Sequence, residues 1–178
     1  MSTSNTFLTL VAFMLLSTIM VGFYRNLARG GDTVVDSQSG ITELTLATTY
    51  MELAQGLAFD EVTVDSFLTT TQLAALTDPS HLGVDNPPPS GEPTEVGFGT
   101  IDDIDDLNNY AIVDTSFKNI SGIYKTTFSV KYVNPSNISQ TSTVRTFVKR
   151  VDMSIWRIAP ASKDTLKHSI IMGYFHFS

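Results

Sequence analysis

Residues 7–24, FLTLVAFMLLSTIMVGFY, form a stretch of eighteen residues without a charged side chain. As an α-helix this stretch would be ~27 Å long, close to the ~30 Å thickness of the hydrocarbon core of a bilayer. Thr9, Ser17, Thr18 and Gly22 interrupt its apolar character, and small or hydroxyl-bearing residues favour close contacts between helices in apolar surroundings. The stretch therefore predicts a helix that can span a membrane and pack against neighbouring helices.

The apolar stretch defines the first of three predicted segments. Residues 1–29 predict a transmembrane helix, residues 30–40 a polar linker, and residues 41–178 a globular head. The pair Gly30-Gly31 marks the predicted end of the first helix, because glycine commonly follows the last helical residue.

The beginning of the chain bears on orientation. Residues 1–6 contain no Lys or Arg, whereas a secretory signal peptide starts with a basic region and has a shorter apolar core. We therefore expect the apolar segment to be retained. Arg25 and Arg29 follow the span, and the positive-inside rule would place the head in the cytoplasm. A basic leader removed during maturation would reverse that orientation, and both alternatives stay open.

The head begins with a second predicted helix over residues 41–58. Leu46, Tyr50, Leu53 and Leu57 recur at helical spacing within it, which indicates one apolar face. Residues 77–99 are rich in proline and glycine and predict an irregular surface loop.

The last part of the head, residues 110–178, predicts an antiparallel β-sheet. Phe128, Val130 and Tyr132 alternate with polar residues, as in a strand with one buried face. Further strands are predicted over residues 143–158 and 166–177. The expected fold class is therefore α+β, with a long N-terminal apolar helix and a second helix packed on an antiparallel sheet of four to five strands.

Composition narrows the functional classes. The chain has 18 acidic and 11 basic residues, a net charge of −7 and no cysteine. The acidic balance argues against nucleic acid as a partner, and the missing cysteines exclude disulfides and thiolate metal sites. We found no phosphate-binding loop, nucleophile elbow or histidine in catalytic spacing. The sequence therefore predicts neither an enzyme nor a bound organic cofactor.

The densest acidic cluster is a run of four aspartates: Asp102, Asp103, Asp105 and Asp106. Carboxylate oxygens are the ligands that Ca²⁺ prefers, so these residues are candidate calcium ligands. Their spacing differs from that of an EF-hand loop. The alternative interpretation is a solvated turn with helix-capping aspartates.

Two short motifs carry a resemblance to a known family. Residues 47–61, ATTYMELAQGLAFDE, look like the helix that follows the anchor in some pilin-like proteins, including its FDE ending. Residues 101–110, IDDIDDLNNY, are similar to an acidic element that precedes the sheet in such proteins. With the apolar N-terminus and the predicted sheet, the chain resembles the type IV pilins and the pseudopilins of type II secretion. In that family the apolar helix anchors the subunit in the inner membrane and forms the filament core after assembly.

The chain departs from the family pattern near its start. Asn5 and Thr6 stand where the family usually has a glutamate, and the family's leader, which ends in glycine before a methylated residue, is not seen. The resemblance implies docking through hydrogen bonds and packing instead of through that carboxylate.

The resemblance implies a structural subunit of a type IV pilus-like filament at the cell surface, with further copies of the chain as its partners. The large apolar residues of the N-terminal helix would then pack in the filament core: Phe7, Leu8, Leu10, Val11, Phe13, Met14, Leu15, Leu16, Ile19, Met20 and Phe23. The alternative is a single-span envelope protein, either a minor pseudopilin or a membrane-tethered binding module, that does not polymerise alone.

Overall fold

The computed structural model describes residues 3–84, 97–162 and 164–175. Packing divides the chain into two compact units, Met1–Ile41 and Thr42–Ser178. In the described ranges the α-helical residues form a single helix, α1, Thr3–Gln55. Five strands follow it in the second unit.

The helix α1 runs through the predicted linker, residues 30–40, so the predicted helix stop at Gly30-Gly31 is wrong. A glycine ends a helix by adopting a positive φ angle, and neither of these glycines does so. The polar residues that follow are accommodated by the helix itself. The hydroxyl of Thr33 donates to the Arg29 carbonyl at 2.9 Å, and that of Ser37 donates to the Thr33 carbonyl at 2.8 Å.

The helix ends at Gln55, three residues before the predicted end of the second helix. The amide of Gly56 donates to the Leu53 carbonyl at 3.0 Å, and that of Leu57 to the Ala54 carbonyl at 3.3 Å. These are the tighter bonds of a closing helical turn. The predicted second helix is thus the C-terminal part of one continuous helix.

In the described residues the strands form one antiparallel sheet of five strands, which confirms the α+β prediction. The strand order is β1-β2-β4-β5, and β3 pairs with β2. The bounds are β1 Ala111–Asp114, β2 Ile123–Asn134, β3 Asn137–Thr141, β4 Val148–Ala159 and β5 Leu166–Gly173. The strand predicted from residue 143 begins only at Val148.

The predicted alternation in β2 is confirmed, because Phe128, Val130 and Tyr132 are all buried. On β4 the buried face carries Val151, Met153 and Ile155, with Lys149 continuing the same alternation. The core lies between this face and the residues of α1 in the second unit. There the ring of Tyr50 packs edge-on against Phe128 with 6.0 Å between centroids.

Only part of the predicted loop, residues 77–99, lies within the described residues. Residues 77–84 and 97–99 contain neither helix nor strand. Residues 85–96, which include the proline run, lie outside the described residues. Phe98, at the far end of the loop, packs on Tyr50 with 5.7 Å between ring centroids and so ties the loop to the core.

Candidate functional site

The first candidate site is the apolar surface of α1 in the first unit. Within the described residues, one helix, α1, is long enough and apolar enough to cross a membrane. Its most apolar window has a mean hydropathy of 2.2 and no buried residue. All the residues predicted to pack in a filament core are exposed, from Val11 at 41% to Met14 at 74%. A surface this apolar needs lipid or protein to cover it.

The polar residues of this segment are compatible with such a cover. The hydroxyl of Thr9 donates to the Thr6 carbonyl and that of Thr18 donates to the Met14 carbonyl, both at 2.9 Å. Because each hydroxyl group donates its hydrogen to a backbone carbonyl of the helix, these side chains can enter apolar surroundings at a low cost in free energy. A side-chain carbon added at Gly22 would meet nothing within 4 Å. The position leaves room for the close approach of another helix.

A shallow notch lies further along the same helix. Gly30 and Gly31 form its floor, with Phe23, Leu27 and Val34 among the residues that line it. The bare backbone of two adjacent glycines is therefore accessible beside exposed apolar side chains. This arrangement suits a bulky side chain of a neighbouring helix.

The second candidate site is the acidic turn of the head. Asp105–Leu107 forms a short 3-10 helix, and Ile104 and Leu107 are fully buried beside it. These apolar anchors draw the carboxylates inside: Asp103 is 1% exposed, and Asp105 and Asp106 are each 3% exposed. The interpretation of this run as a solvated turn is therefore wrong for three of its four aspartates.

The ammonium group of Lys149, on β4, stands at the centre of these carboxylates. Its side chain is fully buried, and Nζ lies 2.6 Å from Asp105 Oδ1 and 2.8 Å from Asp60 Oδ2. Nζ also donates to the carbonyl oxygen of Phe59 at 2.6 Å. The ring centroids of Phe59 and Tyr132 lie 4.4 and 5.0 Å from it. Lys149 is thus held by two carboxylates and one carbonyl inside an aromatic wall.

Asp60 receives hydrogen bonds from two further directions. The amide and hydroxyl of Thr77 donate to its carboxylate at 3.0 and 3.1 Å, and the hydroxyl of Tyr132 donates to Oδ2 at 3.1 Å. A bridge between Ala58 and Asp103 holds the two acidic segments side by side. The FDE and DDxDD motifs, which are 40 residues apart in the chain, therefore meet at one lysine.

The pKa values in this cluster diverge for identifiable reasons. Burial raises the pKa of Asp103 to about 8, with the Asp105 carboxylate adding to the effect. Burial also raises the pKa of Asp105 to about 6, although Lys149 opposes it. For Asp60, burial is outweighed by Lys149 and by the Thr77 hydrogen bonds, which lower its pKa. Ionised and protonated carboxyl groups thus lie side by side near neutral pH.

The predicted calcium ligands can be placed in this arrangement. Within the described residues, no group of three or more His, Cys, Asp or Glu side chains is placed to hold a metal ion. Asp105 is engaged by Lys149, and Asp103 is largely neutral at pH 7. A cation supplied by the protein itself occupies the position where a metal ion would sit, so the cluster fits Ca²⁺ poorly. The calcium site stays a prediction.

Lys149 and Asp60 were not predicted from the sequence as partners of the acidic run. A signal for Lys149 was present, because stepping back by two from Val151, Met153 and Ile155 places it on the buried face. A buried lysine requires anionic partners. Asp60 belongs to the FDE motif, and its 89-residue separation from Lys149 gives no local signal.

Comparison with known proteins gave no match to any family model, curated protein or solved structure.

Proposed function

We propose that the chain is a structural subunit of a type IV pilus-like filament at the cell surface, polymerising through its apolar N-terminal helix. The observation that carries the proposal is the exposed apolar surface of α1 between residues 7 and 24. That helix continues into the head without interruption, as far as Gln55. The resemblance of the FDE and DDxDD motifs to those of pilin-like proteins points the same way.

The apolar helix would be covered first by the lipid bilayer and then, after assembly, by neighbouring helices in the filament. Burial of one large apolar side chain contributes roughly 1.5–3 kcal/mol, and a lipid bilayer supplies that contribution before assembly. The transfer from lipid to filament gains little further from the hydrophobic effect, so it must be driven by packing between helices. Gly22 and the notch at Gly30 and Gly31 are where another helix can approach most closely.

Assembly of this kind would produce a helical polymer. Identical subunits that share heterologous contacts, without a rotation that closes a ring, form an open helix. The helices would occupy the interior and the acidic heads the outside. The partners are then copies of the same chain and, before assembly, the inner membrane.

Substitution within the apolar segment tests the proposal. Leu15→Lys would place an unpaired ammonium in the helical bundle, and we expect loss of filaments while the head remains folded. Asn26→Lys adds the same charge next to Arg25, outside the apolar stretch, and is the matched control. Filaments of normal length and abundance from the Leu15→Lys variant would refute a core built by this segment.

The alternative, a single-span envelope protein that does not polymerise alone, uses the same exposed helix. It predicts that the purified wild-type chain stays monodisperse when it is transferred from detergent into lipid, and that Leu15→Lys impairs membrane insertion only. Electron microscopy of the wild-type chain separates the two, because uniform filaments exclude the alternative.

A further inference from the structure

The buried cluster around Lys149 has an arrangement that a simple ion pair does not require. One amine lies within hydrogen-bonding distance of two carboxyl groups, at 2.6 Å from Asp105 and 2.8 Å from Asp60. All three side chains are at most 4% exposed. The aromatic rings of Phe59 and Tyr132 close over the amine. A nucleophile, an electrophile and a proton carrier thus share one site that is closed to water.

Asp60 is placed to act on both of the other groups. Its Oδ2 accepts a hydrogen bond from Lys149 Nζ, and the same ammonium group contacts the Asp105 carboxylate. The donors from Thr77 and Tyr132 fix its orientation. A general acid–base group must contact the atoms between which it moves a proton, at roughly 2.6–3.2 Å. Asp60 meets that requirement for the amine.

Asp105 is the better electrophile of the two carboxyl groups. Its elevated pKa, about 6, means that burial favours its neutral form, whereas the pKa of Asp60 is lowered. A protonated carboxyl can lose its hydroxyl as water, and an ionised one cannot. Proximity of the reacting groups then replaces the high concentrations that the same condensation needs in water.

We propose that Lys149 and Asp105 become joined by an intramolecular amide bond, with Asp60 as the proton-transferring residue. Asp60 takes a proton from the Lys149 ammonium and passes it to the Asp105 carboxylate, so that a neutral amine faces a neutral acid. The amine attacks Cγ of Asp105, and Asp60 carries a second proton from the nitrogen to the departing hydroxyl. The C–N bond forms, a C–O bond breaks and one water molecule leaves. The ammonium and carboxylate together supply every atom of the amide and the water. No oxidant, reductant or activating cofactor is consumed, and Asp60 is regenerated.

The bond would link β4 to the acidic turn across a loop of 44 residues in the chain. A covalent link of that kind restricts the unfolded chain as a disulfide does, in a protein that has no cysteine. The proposal is independent of whether the subunit forms filaments.

Mass spectrometry of the denatured full-length chain tests this directly, since an ion pair does not survive denaturation. We expect the wild-type protein to be lighter than its Lys149→Arg variant by one water molecule beyond the difference in side-chain mass. Arginine retains the charge but cannot form this amide, and the comparison cancels any processing at the N-terminus. Equal masses after that correction would overturn the proposal.

Peptide mapping locates the bond. Trypsin combined with cleavage after glutamate separates Asp60 from Asp105, because Glu61 and Glu95 lie between them. We expect residues 146–150 to be recovered without cleavage at Lys149 and joined to the peptide that contains Asp105. A link to Asp60 instead would contradict the assignment of the electrophile. An Asp60→Asn variant that still forms the bond at the wild-type rate would contradict the role of Asp60.

Discussion

Replacement of Lys149 by methionine should destabilise the head strongly. Methionine keeps most of the side-chain volume but removes the amine. In the ion-paired state, which precedes the proposed amide, this leaves Asp105 and Asp60 buried without their common cation. Breaking a buried ion pair by removing one partner costs about 3–5 kcal/mol. The lost hydrogen bond to the Phe59 carbonyl acts in the same direction.

For a domain the size of the head, that loss corresponds to a decrease in Tm of roughly 10–20 °C. Trp156 is the single tryptophan of the chain and lies on β4, so its fluorescence reports unfolding of the sheet. The measurement compares the full-length wild-type and Lys149→Met proteins in detergent at neutral pH.

The matched control is Lys131→Met, because Lys131 is exposed on β2 and its substitution removes an equal charge. An exposed substitution of this kind changes stability by less than about 0.5 kcal/mol. If the two variants unfold at the same temperature, the buried cluster contributes nothing specific, and the reasoning that connects burial to stability here is wrong.

Three further predictions concern the backbone and the acidic turn. Gly122→Ala should destabilise the head by about 1–3 kcal/mol in denaturant unfolding, since this residue has φ of +135° and the added carbon would contact Arg157 Cδ at 2.8 Å; Gly97→Ala, with open space around it, should be neutral. The raised pKa of Asp103 makes the folded state bind more protons than the unfolded state, so wild-type stability should fall as the pH rises towards about 8. Asp103→Asn should flatten this dependence of stability on pH. An unchanged dependence would contradict the assignment of the raised pKa to Asp103. Replacing Gly30 and Gly31 by alanine should stabilise α1 by about 1 kcal/mol each, seen as slower amide exchange in this segment; faster exchange would contradict the continuous helix.

The fold class could be predicted because its signals are periodic and local. Alternation in β2 placed Phe128 and Tyr132 on the buried face, and helical spacing placed Leu46 and Tyr50 on the buried side of α1. The same spacing was wrong for Leu53, which is 48% exposed. Continuity through Gly30-Gly31 could not be predicted, because a glycine pair lowers helix propensity without determining the sign of φ. The structure shows that these two residues stay helical.

The two candidate sites also differ in how far the sequence alone predicts them. The apolar surface of α1 was evident from composition, because most residues in the stretch contribute to it. The acidic turn was recognised only as a cluster, since the burial of Asp103 and Asp105 depends on Ile104 and Leu107 entering the core. The pairing of Asp105 with Lys149 is a contact between segments more than forty residues apart, and such contacts leave no trace in local spacing.

Electron cryomicroscopy of assemblies formed by the wild-type chain is the decisive test of the proposed filament core. We expect helical filaments of uniform width, whose central density is a bundle of α-helices with side chains that fit residues 7–24. Filaments with the heads at the centre, or a chain that remains monomeric in lipid at every concentration tested, would contradict it.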